Sequence, residues 1–236
     1  MYHHGAALGA TIAIITGEFI STKILAFVFS VIITMLVYII AKHTFRKDST
    51  FLVLTGINVN YFLSAIISLL MILNKDKLDK IVFWTMGSFT TSSWINVLIL
   101  SIIILPAVIL ISFLGKYLNA MALDENTAKS IGINTDLFRG IMIGITCLIT
   151  AICVSVSGII GFVGLMIPHL VRLVFSTDYK YLIGLTALIG AIFMIVSDDF
   201  ARLIISPTEI PIGIITAIFG APYLVYLIYK RSGKAI

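Results

Sequence analysis

The chain has 236 residues, 60% of them hydrophobic and only 11% charged, with a formal net charge of +5 and a mean hydropathy of +1.13. Soluble domains carry about 25% charged residues, so the composition excludes a soluble enzyme, a disordered chain, a nucleic-acid binder and a disulfide-rich secreted module. Lys and Arg in excess fit the cytoplasmic loops of a polytopic membrane protein, and the continuous apolar runs speak against a β-barrel.

A membrane-crossing helix takes ~20 apolar residues. Eight runs qualify, at about 5–19, 24–41, 51–73, 95–114, 138–156, 158–175, 181–203 and 210–229. The first is short and glycine-containing, and the fifth and sixth are parted only by Ser157-Gly158. The expected fold class is an all-α, polytopic helical membrane protein.

His3-His4 opens the chain; two adjacent histidines are weak metal ligands, and no metal site is expected. In the third run, Asn58 and Asn60 suit either a translocation path or hydrogen bonds between helices. Residues 75–90 mix Lys and Asp with Ile81, Val82, Phe83, Trp84 and Met86, which predicts a short interfacial helix. Residues 115–139 form the longest polar stretch. There, Asp124-Glu125-Asn126 opens a short helical run that ends at Gly132, with acidic residues at the start and glycine at the end. Cys147 and Cys153 are six apart, about 240° around a helix, so they share no face and read as packing residues.

Residues 157–173 hold Gly158, Gly161 and Gly164 at intervals of three, a spacing that permits close helix approach, and Pro168 is expected to interrupt a helix near its end. His169 and Arg172 follow one turn apart, as a packed span end with a snorkelling Arg or as a functional pair. Near the seventh run's end, Asp198 and Arg202 are spaced for an i,i+4 ion pair, with Glu209 beyond. Pro207 and Pro211 bracket a turn into the last run, and the charges suit a solvated rim or a docking surface.

Of the 16 basic residues, eleven (Lys42, Arg46, Lys47, Lys116, Lys129, Arg139, Arg172, Lys180, Lys230, Arg231, Lys234) fall on one side of the alternating spans. Lys23, Lys75, Lys77, Lys80 and Arg202 fall on the other. The positive-inside rule makes the first side, and both termini, cytoplasmic. No basic segment precedes the first run, so no signal peptide is expected. The chain has no G-x-x-x-x-G-K-[ST], H-E-x-x-H or C-x-x-C motif and no catalytic constellation. Ion-coupled transporters place ionisable groups at mid-membrane; here they gather at span ends, so the energy is expected from a partner.

At these motifs the sequence resembles the membrane-spanning permease subunits of type II ABC importers, which take up iron-siderophores, haem and vitamin B12. The likeness is carried by GAALGA at 5–10, ALDENTAKSIGI at 122–133, SGIIGFVGLMIPHLVRL at 157–173 and SDDFARLIISPTEIPIGIITAIFGAPYLVYLI at 197–228, in order, across essentially the whole chain. The resemblance implies a ten-helix permease fold, of which this chain holds about eight spans and lacks the first two. Residues 1–236 then form one transmembrane permease domain, with 115–139 as its cytoplasmic coupling helices.

It further implies that Leu123, Asp124, Glu125, Ala128 and Gly132 couple to an ATPase, and that Arg202, beside Glu209, docks a binding protein. Asn58, Asn60 and Gly87 would line the path, while Gly158, Gly161, Gly164 and Pro168 serve helix packing. The implied partners are ABC ATPase subunits, an extracellular or periplasmic substrate-binding protein, a second permease subunit in a homo- or heterodimer, and the lipid bilayer. No nucleic acid and no cofactor are expected. The chain would be a transport subunit rather than an enzyme, multi-pass in the bacterial cytoplasmic membrane with its C-terminus inside, moving an iron-siderophore. An ion-coupled secondary transporter or channel, or a non-functional truncated permease, are the alternatives.

Overall fold

The computed structural model describes residues 3–17, 19–43, 49–90, 92–175, 178–205 and 209–232. Arg46, Lys47, Pro207 and Lys234 lie outside the described residues, as do the side chains of Lys42, Glu125, Asn126, Lys230 and Arg231. The described residues form helices without strands: α1 His3–Ile15, α2 Thr22–His43, α3 Ser49–Leu73, α4 Leu78–Thr85, α5 Trp94–Phe113, α6 Gly115–Leu123, α7 Glu125–Ser130, α8 Thr135–Ser157, α9 Val163–Val174, α10 Tyr179–Leu203 and α11 Ile212–Ser232. A 3₁₀ turn, Lys75–Lys77, leads into α4.

Among the described residues, five stretches are long and apolar enough to cross a membrane: Thr22–Ile40, Val53–Leu73, Trp94–Phe113, Thr135–Ser157 and Tyr179–Leu203. The other expected spans are shorter apolar helices, His3–Ile15, Val163–Val174 and Ile212–Leu227. The sixth run departs most from expectation, since residues 158–162 are not helical and α9 starts only at Val163. Phe162 takes φ 66, the left-handed region, and breaks the helix. Its side chain fills the notch at Gly220 on α11, where a Cβ would come 2.7 Å from the Phe162 Cγ. Pro168 lies inside α9 rather than near its end.

The chain forms two compact units, Met1–Asn96 with Gly144–Ile159, and Val97–Ile143 with Ile160–Ile236. In lipid, helices gain little from apolar burial alone, so close packing of small residues carries their association. The first unit shows this at α1, where Ala6, Ala10 and Ala13 are fully buried. Gly5 and Gly9, one turn apart, face α2. A Cβ on Gly9 would come 2.7 Å from the Leu25 carbonyl carbon, and one on Gly5 would come 3.0 Å from the Phe29 oxygen. Lys77 Nζ donates to the Ile15 carbonyl at 2.7 Å and so caps the C-terminus of α1.

In the second unit, Met166, Ile167 and Val171 of α9 pack with Leu182 of α10, supported by Tyr179 and by Tyr223 of α11. The His169 and Tyr223 rings meet edge to face at 6.4 Å.

Candidate functional site

The polar stretch at 115–139 folds as a helical hairpin. Asp124 is extended and caps α7, accepting from Thr127 N at 3.4 Å. Two reversed hydrogen bonds close the helix, Gly132 N to the Lys129 carbonyl at 3.0 Å and Ile133 N to the Ala128 carbonyl at 3.1 Å. This is a Schellman stop, which requires the φ of +84 that Gly132 supplies. Ala128 is fully buried, whereas Leu123 is 81% exposed beside an exposed Asp124. The expected coupling residues therefore divide into an outward knuckle, Leu123 and Asp124, and two positions that shape it, Ala128 and Gly132. The Glu125 side chain lies outside the described residues.

A polar clamp holds the base of this hairpin. Asn119 Nδ2 donates to Asp178 Oδ1 at 2.8 Å, and Tyr179 N donates to Asn119 Oδ1 at 3.0 Å. Asp178 caps α10 by accepting from Lys180 N at 2.8 Å. The Asn119 amide, then the Lys180 N–H, hold the Asp178 carboxyl below its usual range. Gly115 presses against the same turn, where a Cβ would come 2.8 Å from Lys180 N.

At the other end of α10, Arg202 Nε donates to Asp198 Oδ2 at 2.8 Å, and its Nη1 lies 3.6 Å from Glu209 Oε1. Ile210 N donates to the Ala201 carbonyl at 3.2 Å and ties this turn to the helix. Exposed pairs of this kind are worth ~0–1 kcal/mol.

In the first unit, α4 ends at a backbone junction where Ser88 N donates to the Ser157 carbonyl at 2.9 Å. A Cβ on Gly158 would meet the Trp84 carbonyl oxygen and lie 2.9 Å from Gly87 Cα. Beside it is a cavity of about 780 Å³ lined by Lys23, Asp79, Lys80, Phe83, Trp84 and Ser157 among others. Asn58 is exposed and Asn60 half-buried on α3; two residues apart, they point to different sides. Among the described residues, a Cβ at Gly161 or at Gly164 would meet nothing within 4 Å. Gly161 lies outside any helix. Among the described residues, no cluster of three or more His, Cys, Asp or Glu is placed to hold a metal ion.

Residues 2–230 match the FecCD transport family. The chain belongs to that family. An ABC transporter ascribed to the metal-chelate type, solved in an inward-facing conformation, superposes with a TM-score of 0.88 at 35% identity, covering 97% of this chain and 74% of that one. The FecCD chain is also similar to three curated proteins. The uncharacterised ABC transporter permease YvrB of Bacillus subtilis is 40% identical over 196 residues, 82% of this chain and 55% of its own length. The cobalamin import permease BtuC of Halobacterium salinarum is 33% identical over 235 residues, 98% of this chain and 63% of its own. The iron-uptake permease FeuC of Bacillus subtilis is 35% identical over 204 residues, 85% of this chain and 60% of its own. The chain thus spans between about half and two thirds of these relatives' length.

Sequence reasoning did not find the Asn119–Asp178 clamp of this FecCD chain, nor the seating of Phe162 on Gly220. Asn119 and Asp178 are 59 residues apart, so no local pattern joins them. The one available signal was Asp178 preceding an apolar run, a helix-cap signature.

Proposed function

We propose that this FecCD chain is the transmembrane subunit of an ATP-driven importer that moves a metal chelate, an iron-siderophore in the first instance, across the bacterial cytoplasmic membrane. The observation that carries this reading is its likeness, over nearly the full chain, to a solved ABC transporter ascribed to the metal-chelate type. The resemblance to iron-siderophore, haem and vitamin B12 permeases, with FeuC and BtuC among the relatives, supports the cargo class.

In this reading the hairpin of α6 and α7 is cytoplasmic, and its knuckle at Leu123 and Asp124, shaped by Ala128 and Gly132, enters a groove on the ATPase subunit. Arg202 and Glu209 face outside and dock the substrate-binding protein. A second permease subunit completes a path that Asn58, Asn60 and Gly87 line, and both termini lie inside. ATP-driven closure of the ATPase pair shifts the hairpin, and the path opens alternately to either side. The chain supplies shape and gating, and the ATPase supplies the energy.

Reconstitution with the ATPase and binding protein in liposomes tests this. ATP-dependent uptake of an iron-siderophore is expected; uptake driven by an ion gradient without the ATPase identifies a secondary transporter instead.

A further inference from the structure

We propose that Asn119 is a positioning residue that locks the hairpin of α6 and α7 to the N-terminus of α10, so that α10 carries hairpin movement as a rigid rod to the turn at Arg202. This inference rests on the importer reading above and concerns how the ATPase stroke leaves the hairpin.

Four observations converge on the junction. Asn119 spends both ends of its amide on it, as donor to Asp178 Oδ1 at 2.8 Å and as acceptor from Tyr179 N at 3.0 Å. Such a two-point grip fixes orientation as well as distance, which a single hydrogen bond does not. The groups it grips are the cap residue and the first residue of α10, whose N–H groups have no intrahelical partner. Gly115 allows α6 to touch the Lys180 backbone directly, with no side chain between the two elements to yield under load. Finally, the Arg172 guanidinium lies over the Tyr179 ring at 4.9 Å, so the end of α9 holds the same turn.

From this junction α10 runs 25 residues without proline to Leu203, about 37 Å at the α-helical rise. Its far end carries Arg202, bound to Asp198 on the same helix and to Glu209 beyond it. A helix gripped at its first residue and uninterrupted along its length transmits displacement rather than absorbing it, since helices bend sharply only at proline, glycine pairs or bulges. The hairpin and the turn at Arg202 thereby share one mechanical element.

The test is a charge-and-amide swap in the complex of the chain with its ATPase subunit. Asn119→Asp sets two carboxylates face to face and removes the donor to Asp178. In the double variant Asn119→Asp with Asp178→Asn the carboxylate at 119 still accepts from Tyr179 N, and the amide at 178, turned so that its nitrogen faces 119 and its oxygen faces Lys180 N, divides between two atoms the bonds that Asp178 Oδ1 accepts alone in the unaltered chain. The readouts are ATPase retained on purification and substrate moved per ATP hydrolysed in liposomes. Asn119→Asp is expected to keep the ATPase bound while transport per ATP falls about tenfold, within the usual range of coupling energies. The swap is expected to regain most of that ratio.

A wild-type ratio in Asn119→Asp, or a swap no better coupled than the single variant, overturns the inference. Should Asn119→Asp fail to accumulate in membranes, the swap decides alone: normal accumulation with an uncoupled ratio overturns it, and a wild-type ratio upholds it. Failure of the unaltered chain to bind any ATPase contradicts the importer reading itself, a result separate from all of these.

Discussion

Gly158 and Gly87 meet backbone to backbone, so closely that a Cβ on Gly158 would lie 2.9 Å from Gly87 Cα. Both hold left-handed φ, 70° at Gly158 and 72° at Gly87, a conformation that costs other residues roughly 1–2 kcal/mol. Together with the hydrogen bond from Ser88 N to the Ser157 carbonyl, they join the end of α8 to the end of α4. Gly158→Ala adds that strain to an overlap with rigid backbone and is expected to destabilise the chain by about 2–4 kcal/mol. Gly161→Ala, where a Cβ meets nothing within 4 Å, is expected to stay within about 0.5 kcal/mol. Thermal unfolding of both in detergent checks the contrast, and equal melting points would contradict it.

The Asp178 clamp carries a pH signature. The hydrogen bond from Asn119, then that from Lys180 N, favours the carboxylate and lowers its pKa in the folded chain. A lowered folded pKa means that the associated stability is complete above the ordinary aspartate value, ~3.9, and drains as pH falls through the folded value. Between pH 5 and pH 3 the melting point of the unaltered chain is expected to fall more steeply than that of Asp178→Asn, which keeps an acceptor oxygen but does not titrate. Parallel profiles would show that the carboxylate contributes nothing.

Arg202 sits among acidic neighbours and is 42% exposed in its side chain, so its ion pairs contribute little to folding. Arg202→Ala is expected to change stability by less than about 1 kcal/mol. Arg202→Glu is expected to weaken binding-protein docking, with the larger loss at low salt, because rim charges act through screened attraction over ~10 Å at 0.1 M. Titrating the binding protein at several ionic strengths measures this, and affinity unchanged across them removes the docking role.

What the sequence disclosed follows the range of the interactions involved. Asp124 and Gly132 punctuate α7 through bonds within nine residues, and the four-residue spacing of Asp198 and Arg202 yields the ion pair it suggests. Both depend on helix periodicity alone. The run at 158–175 reads as one continuous span, whereas Phe162 turns left-handed there, seated on Gly220, and α9 starts only at Val163. That contact, like the Asn119 clamp, joins residues nearly sixty positions apart, and no local pattern encodes it. Lengths followed the same logic: the runs at 5–19 and 158–175 fold among the described residues as the shorter helices His3–Ile15 and Val163–Val174, the second because residues 158–162 are not helical.

The most direct measurement is co-purification of the ATPase subunit with the chain in which residues 122–133 are replaced by a Gly-Ser linker, beside the unaltered chain. The importer reading predicts that the ATPase stays with the unaltered chain and is lost from the linker variant, while both accumulate equally in membranes. Retention of the ATPase by the linker variant would contradict it.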